Sequence, residues 1–147
     1  MMIDESTTFT QARIVKKNPT SAELQRVIEE AWISWAGRPE KIRLDEDGMY
    51  TANEFLDWAD LWSIYPEVVA GERSWSMGII GRHQQLLREM LVKTQETTKM
   101  PVDKALYGCV SAKNEMMSTS GYSPNQWVLG KQTMMFNPMS RENVRIS

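Results

Sequence analysis

The chain has 147 residues, 41% hydrophobic and 24% charged, which suits one globular domain. Its net charge of −2 excludes a global basic field drawing it to nucleic acid, and no apolar run approaches the roughly 18 residues of a membrane span. The N-terminal MMIDESTTF is too acidic and polar for a secretory signal, and the lone Cys109 can build neither an internal disulfide nor a zinc site; the expectation is an intracellular protein, nuclear or cytoplasmic.

Residues 7–16, TTFTQARIVK, alternate loosely through Phe9, Ala12 and Ile14 and predict a strand, broken at Asn18-Pro19. Thr20-Ser21-Ala22-Glu23 has the form of a capping box, hydroxyl and carboxylate each satisfying an orphan backbone N–H. Leu24, Val27, Ile28, Ala31, Trp32 and Trp35 then recur at spacings of three and four, the apolar face of a helix that Gly37 and Pro39 stop. KIRLD, residues 41–45, predicts a short strand and EDGMY a turn. Thr51 or Asn53 is placed to cap a short helix, NEFLDWADLW. Residues 65–69 read as extended and AGERS as a loop.

From Trp75 to Lys99 the pattern is helical, with Ile79, His83, Leu86, Leu87, Met90 and Leu91 on one side. His83 in that company is a packed histidine rather than a ligand. Gly78 and Gly81 interrupt the pattern, each costing roughly 1 kcal/mol against alanine. Pro101 opens a further helix with a stripe of Ala105, Leu106, Cys109, Val110, Ala112 and Met116, which makes Cys109 a buried hydrophobe rather than a nucleophile. Gly121–Pro124 reads as a loop and Asn125–Leu129 as a turn of helix ended by Gly130. Periodicity then ceases, so residues 1–130 are expected to form a domain and 131–147 a tail. Strand, helix, strand, short helix, short strand and two helices make an α/β chain.

Asp45 is the residue with a chemical signature of its own, because carboxylates at strand ends of α/β sheets lie where ligands bind. With Asp47 it offers oxygen ligands for a hard cation such as Mg²⁺; the alternative is a pair of turn-forming acids in solvent. Three basic clusters are visible: Arg13, Lys16 and Lys17; Arg38, Lys41 and Arg43; and Arg82, Arg88, Lys93 and Lys99. Scattered solvated charge is the competing reading of each.

Four segments, in order, resemble the catalytic core of retroviral and retrotransposon integrases, nearest to the copia type. IDESTTFTQARIV resembles the early hairpin of that core. AWISWAGRPEKIRLDEDGMYTANEF resembles the helix, the G-x-P turn and the strand of the second aspartate. AGERSWSMGIIGRHQQLLREML resembles the loop and helix carrying a glutamate in a G-x-V-E-R pattern. AKNEMMSTSGYSPNQWVLGK resembles the late helix and its G-Y/F-S-P motif. The resemblance covers residues 2–131.

It implies an RNase H-like three-layer fold, here lacking the first strand, in which three carboxylates hold two metal ions around a phosphodiester. Asp45 matches the second carboxylate. Thirty-five residues, the family's spacing, separate it from Gly81, which occupies the glutamate position. The first carboxylate belongs to an upstream strand, and Asp4 matches a different aspartate. Glu46 and Asp47 lie off the long helix. The resemblance also places Ser74, Trp75 and Ser76 in an active-site loop, and Arg82, Gln84, Gln85 and Arg88, with Lys93, along DNA.

The expectation is therefore an integrase-core-like protein that is catalytically inactive, with Mg²⁺ bound weakly or not at all. Its partners would be DNA, weakly, and a second copy in a homodimer, with no membrane and no small-molecule substrate. The alternative is a non-catalytic binding or dimerisation module derived from such a core.

Overall fold

The computed structural model describes residues 1–45, 52–69, 75–116 and 121–131. They group into two compact units, Gln11–Glu89 and Met1–Thr10 with the residues from Met90 onward. The predicted EDGMY turn, the AGERS loop and nearly all of the tail lie outside the described residues.

In the unit Gln11–Glu89, the Thr20 hydroxyl accepts from the Glu23 N–H at 3.3 Å and starts α1 (Ser21–Ile28). The Glu23 carboxylate meets Lys16 Nζ at 2.8 Å. That contact first, with the Thr20 backbone adding to it, holds the Glu23 carboxyl below its usual range. The helix then widens into a π turn (Glu29–Ile33) before α2 (Ser34–Ala36) and Gly37, whose φ of 79° admits only glycine readily. Ser34 Oγ and Trp35 Nε1 donate to the Glu30 and Ala31 carbonyls at 2.8 and 2.7 Å, so side chains serve carbonyls around the irregular turn.

The π turn corrects the predicted apolar face. An extra residue in one turn rotates everything after it by roughly 100°. Ile28 and Ile33, five apart, pack against the core, whereas Trp35, placed on the stripe by its spacing, is 42% exposed.

β3 (Lys41–Asp45) and β4 (Tyr65–Val69) pair in parallel, Lys41 opposite Tyr65 and Asp45 opposite Val69. Parallel strands need a crossover, and α3 (Asn53–Leu61) lies in it. Tyr65 N–H donates to the Glu40 carbonyl at 2.9 Å. Alternation along a parallel ladder therefore turns the nitrogen of Pro66 away from β3, the one orientation in which a strand tolerates proline. Leu44, Phe55, Trp58, Ala59 and Ile64 form the core, joined by Ile28, Ile33, Ile42 and Trp62. The expected side-chain cap of α3 is not formed by Asn53, which is its first helical residue; the capping position is Ala52, without a side-chain bond, and Thr51 is outside the described residues.

α4 (Trp75–Thr97) begins in this unit and ends in the other. In the unit containing the N-terminus, β1 (Met2–Ile3) leads through a tight turn to Thr10, the first residue of β2 (Thr10–Gln11). Asp4 Oδ2 accepts from the Thr7 N–H and hydroxyl at 2.9 and 2.5 Å and fixes that turn. The strand predicted over residues 7–16 shrinks to these two residues. Adjacent Phe9 and Thr10 are both buried, as is Ala12, while Ile14 is 52% exposed, so a strict period of two fails.

α5 (Val102–Met116) buries Ala105, Leu106, Cys109 and Val110 as its spacing predicts. Met116, expected on the stripe, is 67% exposed, and Lys113, Asn114 and Glu115 are buried instead. α6 (Pro124–Leu129) opens on a capping box formed by Ser123 and Gln126 and closes on Gly130 at φ 71°.

Candidate active-site position and helix surface

Asp45 ends β3 opposite Val69, the position its sequence predicts. Its sequence partners Glu46 and Asp47, and Ser74 of the expected loop, lie outside the described residues. Trp75 and Ser76, also expected in that loop, open α4 instead. Among the described residues, no three His, Cys, Asp or Glu side chains gather to hold a metal ion.

Gly81 is in the second turn of α4 and exposed. A Cβ built on it meets no atom within 4 Å, and its backbone lies outside the left-handed region. Neither close approach nor chain geometry demands glycine there. Gly37, Gly121 and Gly130, by contrast, all have positive φ.

Gln84, Gln85 and Arg88 follow Gly81 at spacings of three, four and seven, so the four residues share a face of α4. All are exposed, as are Arg82 and Lys93. Gln85 Nε2 is turned along the helix to Glu89 Oε1 at 3.3 Å. Lys93 stands five residues beyond Arg88 and leaves that row of spacings. His83 is half-buried and Leu87, four residues on, is buried, which defines the inward side.

The second basic cluster is engaged within the protein. Arg43 Nε lies 2.6 Å and Lys41 Nζ 3.8 Å from Glu67 Oε2, and Arg38 donates to the Ser63 carbonyl at 3.1 Å. The bond from Arg43, before the charge of Lys41, holds the Glu67 carboxyl below its usual range. Cys109 is buried, its Sγ 3.4 Å from Thr94 Oγ1.

Sequence reasoning missed a polar group in the N-terminal unit. Lys113 Nζ donates to Thr10 Oγ1 at 2.7 Å, Asn114 clasps the Thr10 backbone, and Asn125 Nδ2 donates to Glu115 Oε1 at 2.8 Å. The available signal was the register: Lys113 is four residues after Cys109 and seven after Leu106, a core-facing position.

The fold that positions these residues is α/β and RNase H-like, the fold of integrase catalytic cores. The chain is similar to the HTLV-2 integrase catalytic core domain in complex with magnesium. Against its dimeric form the identity is 21%, covering 84% of this chain and 77% of that one, with a TM-score of 0.69. Against its trimeric form the identity is 22%, the coverages 86% and 80%, and the TM-score 0.72. The catalytic core domain of BIV integrase matches at 14% identity over 99% of this chain and 87% of its own, with a TM-score of 0.72. No protein-family model matches the sequence, and no curated protein matches it. Among the described residues no helix is long and apolar enough to cross a membrane.

Proposed function

We propose that residues 1–130 are an integrase-core-like domain of retrotransposon origin, followed by a 131–147 tail, that no longer carries out end processing or strand transfer. The observation that carries this reading is Gly81, a helix position with open space for a side chain and no backbone need for glycine. A two-metal centre needs three carboxylates converging on the ions. The matched positions supply Asp45 and no partner from α4, so the residues do not fit two Mg²⁺ ions. No catalytic step is assigned to them.

DNA contact is a separate property. Arg88, with Arg82 and Lys93, offers cations on the exposed surface of α4, and Gln84 and Gln85 offer neutral hydrogen bonds. So few charges bind phosphates weakly and with strong salt dependence. A homodimer inside the cell, without a membrane or a small-molecule substrate, completes the reading.

The test is incubation of the purified chain with a labelled DNA end and Mg²⁺ or Mn²⁺. No nicking or joining is expected; metal-dependent product that disappears in Asp45→Asn overturns the inactive reading. For binding, a low-salt mobility shift lost in Arg88→Glu supports DNA contact, and no shift at low salt removes it.

A non-catalytic assembly module is the second reading. Large apolar side chains at the surface favour it: Leu61 (81% exposed) and Tyr65 in one unit, Tyr122 and Trp127 in the other. A defined dimer in light scattering, with no DNA shift, selects it.

A further inference from the structure

We propose that Lys113 and Asn114 of α5 form a proton-sensitive latch that holds the N-terminal segment Met1–Thr10 in place. Every contact below lies within the unit containing both. Asn114 Oδ1 accepts from the Thr10 N–H and its Nδ2 donates to the Thr10 carbonyl, both at 2.9 Å, so one side chain occupies the place of a neighbouring strand. Lys113 Nζ donates to the Thr10 hydroxyl at 2.7 Å, and that hydroxyl donates onward to the Thr8 carbonyl at 3.0 Å. Thr8 has a φ of 59°, a conformation that a β-branched residue keeps only when its surroundings impose it. Phe9 and Thr10 are buried, and Lys113 is 1% exposed.

The chemistry at Lys113 makes the latch titratable. An ammonium carries three donors and is satisfied in protein interiors by carboxylates or several acceptors. The acceptor Lys113 meets is one neutral hydroxyl, which does not offset the cost of taking an ammonium out of water. Burial alone pushes its pKa down to about 8.

The titratable groups of the surrounding elements are otherwise engaged or turned outward. In the N-terminal turn, Asp4 is taken by Thr7 and Glu5 is exposed. On α5, Glu115 accepts from Asn125, while Asp103, Lys104 and Tyr107 are exposed. α6 has no titratable side chain, and Lys93, Glu96 and Lys99 near the end of α4 are exposed. Cys109, buried one turn before Lys113, is paired with Thr94 Oγ1, and the Met1 amine is also pushed below its ordinary value by burial.

Releasing the segment returns Lys113 to water, where it binds a proton throughout the range between its folded and ordinary values. Opening is therefore easiest below pH 8, and becomes harder as the pH climbs toward 10.5, because proton uptake then opposes it.

Chymotryptic cleavage after buried Phe9 reads this opening. The full chain is digested at pH 7, 8 and 9.5, the Phe9–Thr10 cut is followed by mass spectrometry, and rates are divided by those of a free peptide spanning the same bond. The wild-type ratio should fall roughly tenfold from pH 8 to 9.5, and that of Lys113→Met should fall far less, keeping only the Met1 contribution that both proteins share. An equal fall in the variant, or none in the wild type, overturns the latch. Should Lys113→Met fail to fold, an NMR titration of Lys113 Nζ in the wild-type chain decides. A midpoint near 8 supports the latch, and one at the ordinary lysine value of about 10.4 overturns it.

Discussion

Trp58 on α3 donates its indole N–H to Glu29 Oε1 at 2.6 Å, and Glu29 is the first residue of the π turn. The bond ties the irregular part of the first long helix to the ring that packs on Phe55 at 5.3 Å. Trp58→Phe keeps an aromatic ring but removes the donor and leaves a carboxylate short of a partner. A hydrogen bond to a charged group contributes about 1.5–3 kcal/mol, and the smaller ring adds a void. A loss of about 3 kcal/mol is expected, read as a lower urea midpoint at unchanged slope. Glu29→Gln, which keeps an acceptor, should cost about 1 kcal/mol.

That pair also marks where sequence reasoning loses its grip. β3 and the short helix after it follow from local pattern and their ends were legible, as was the extended piece at 65–69, because each obeys one period. The π turn does not: its five-residue step from Ile28 to Ile33 looks like noise against spacings of three and four, which point Trp35 inward and pass over Ile33. Lys113 and Asn114 were missed for another reason. Their partner, Thr10, is over a hundred residues away, and nothing local says that a lysine on a core-facing register will find a hydroxyl. The candidate site was legible only as positions. Asp45 and Gly81 can be named from spacing, but whether ligands converge on a metal is a property of chain placement.

Ser63 sets a second prediction. It follows α3 at φ 56°, its N–H donating to the Asp60 carbonyl at 2.9 Å while Ile64 N–H reaches Ala59 at 2.8 Å. This left-handed step ends the helix, and serine carries a Cβ that disfavours it. Ser63→Gly keeps the backbone bonds, including the carbonyl that Arg38 binds. A gain of about 0.5 kcal/mol is expected, part of the relief being offset by glycine's freedom in the unfolded chain. A thermal melt reads it, and a lower Tm would show that the serine side chain itself supports the turn.

Glu67 sets the acid dependence. Its carboxyl titrates below 4.5 in the folded chain, first because of the bond from Arg43 and then because of Lys41. A lowered carboxyl value means that the unfolded chain takes up the proton first. The stabilisation is thus complete above about pH 4.5 and is lost as the pH falls through the lower folded value. The pair is about one-third exposed, so solvent screens it and the effect is small. Between pH 4.5 and 3, the Tm of Glu67→Gln should fall less steeply than that of the wild type, and added salt should narrow the difference. Parallel slopes would assign the acid loss to other carboxyls, Glu23 with its Lys16 partner being the next to test.

Gly81 separates the two readings of an empty helix position. If glycine there serves the fold, any side chain should destabilise it. If it replaces a longer residue that the fold never required, substitution should help. The geometry favours the second, since a Cβ at position 81 has free space and helical backbone. Gly81→Ala should raise stability by about 0.5–1 kcal/mol through helix propensity and the less costly ordering of alanine. Gly81→Glu should fold as well as the wild type. The added carboxylate does not restore a two-metal centre, because Asp45 and one glutamate still fall short of the three ligands that two ions need. The expected outcome for Gly81→Glu is a small Mg²⁺-dependent rise in Tm with no DNA cleavage. A destabilised Gly81→Ala would refute the vacated-position reading, whatever the glutamate variant does.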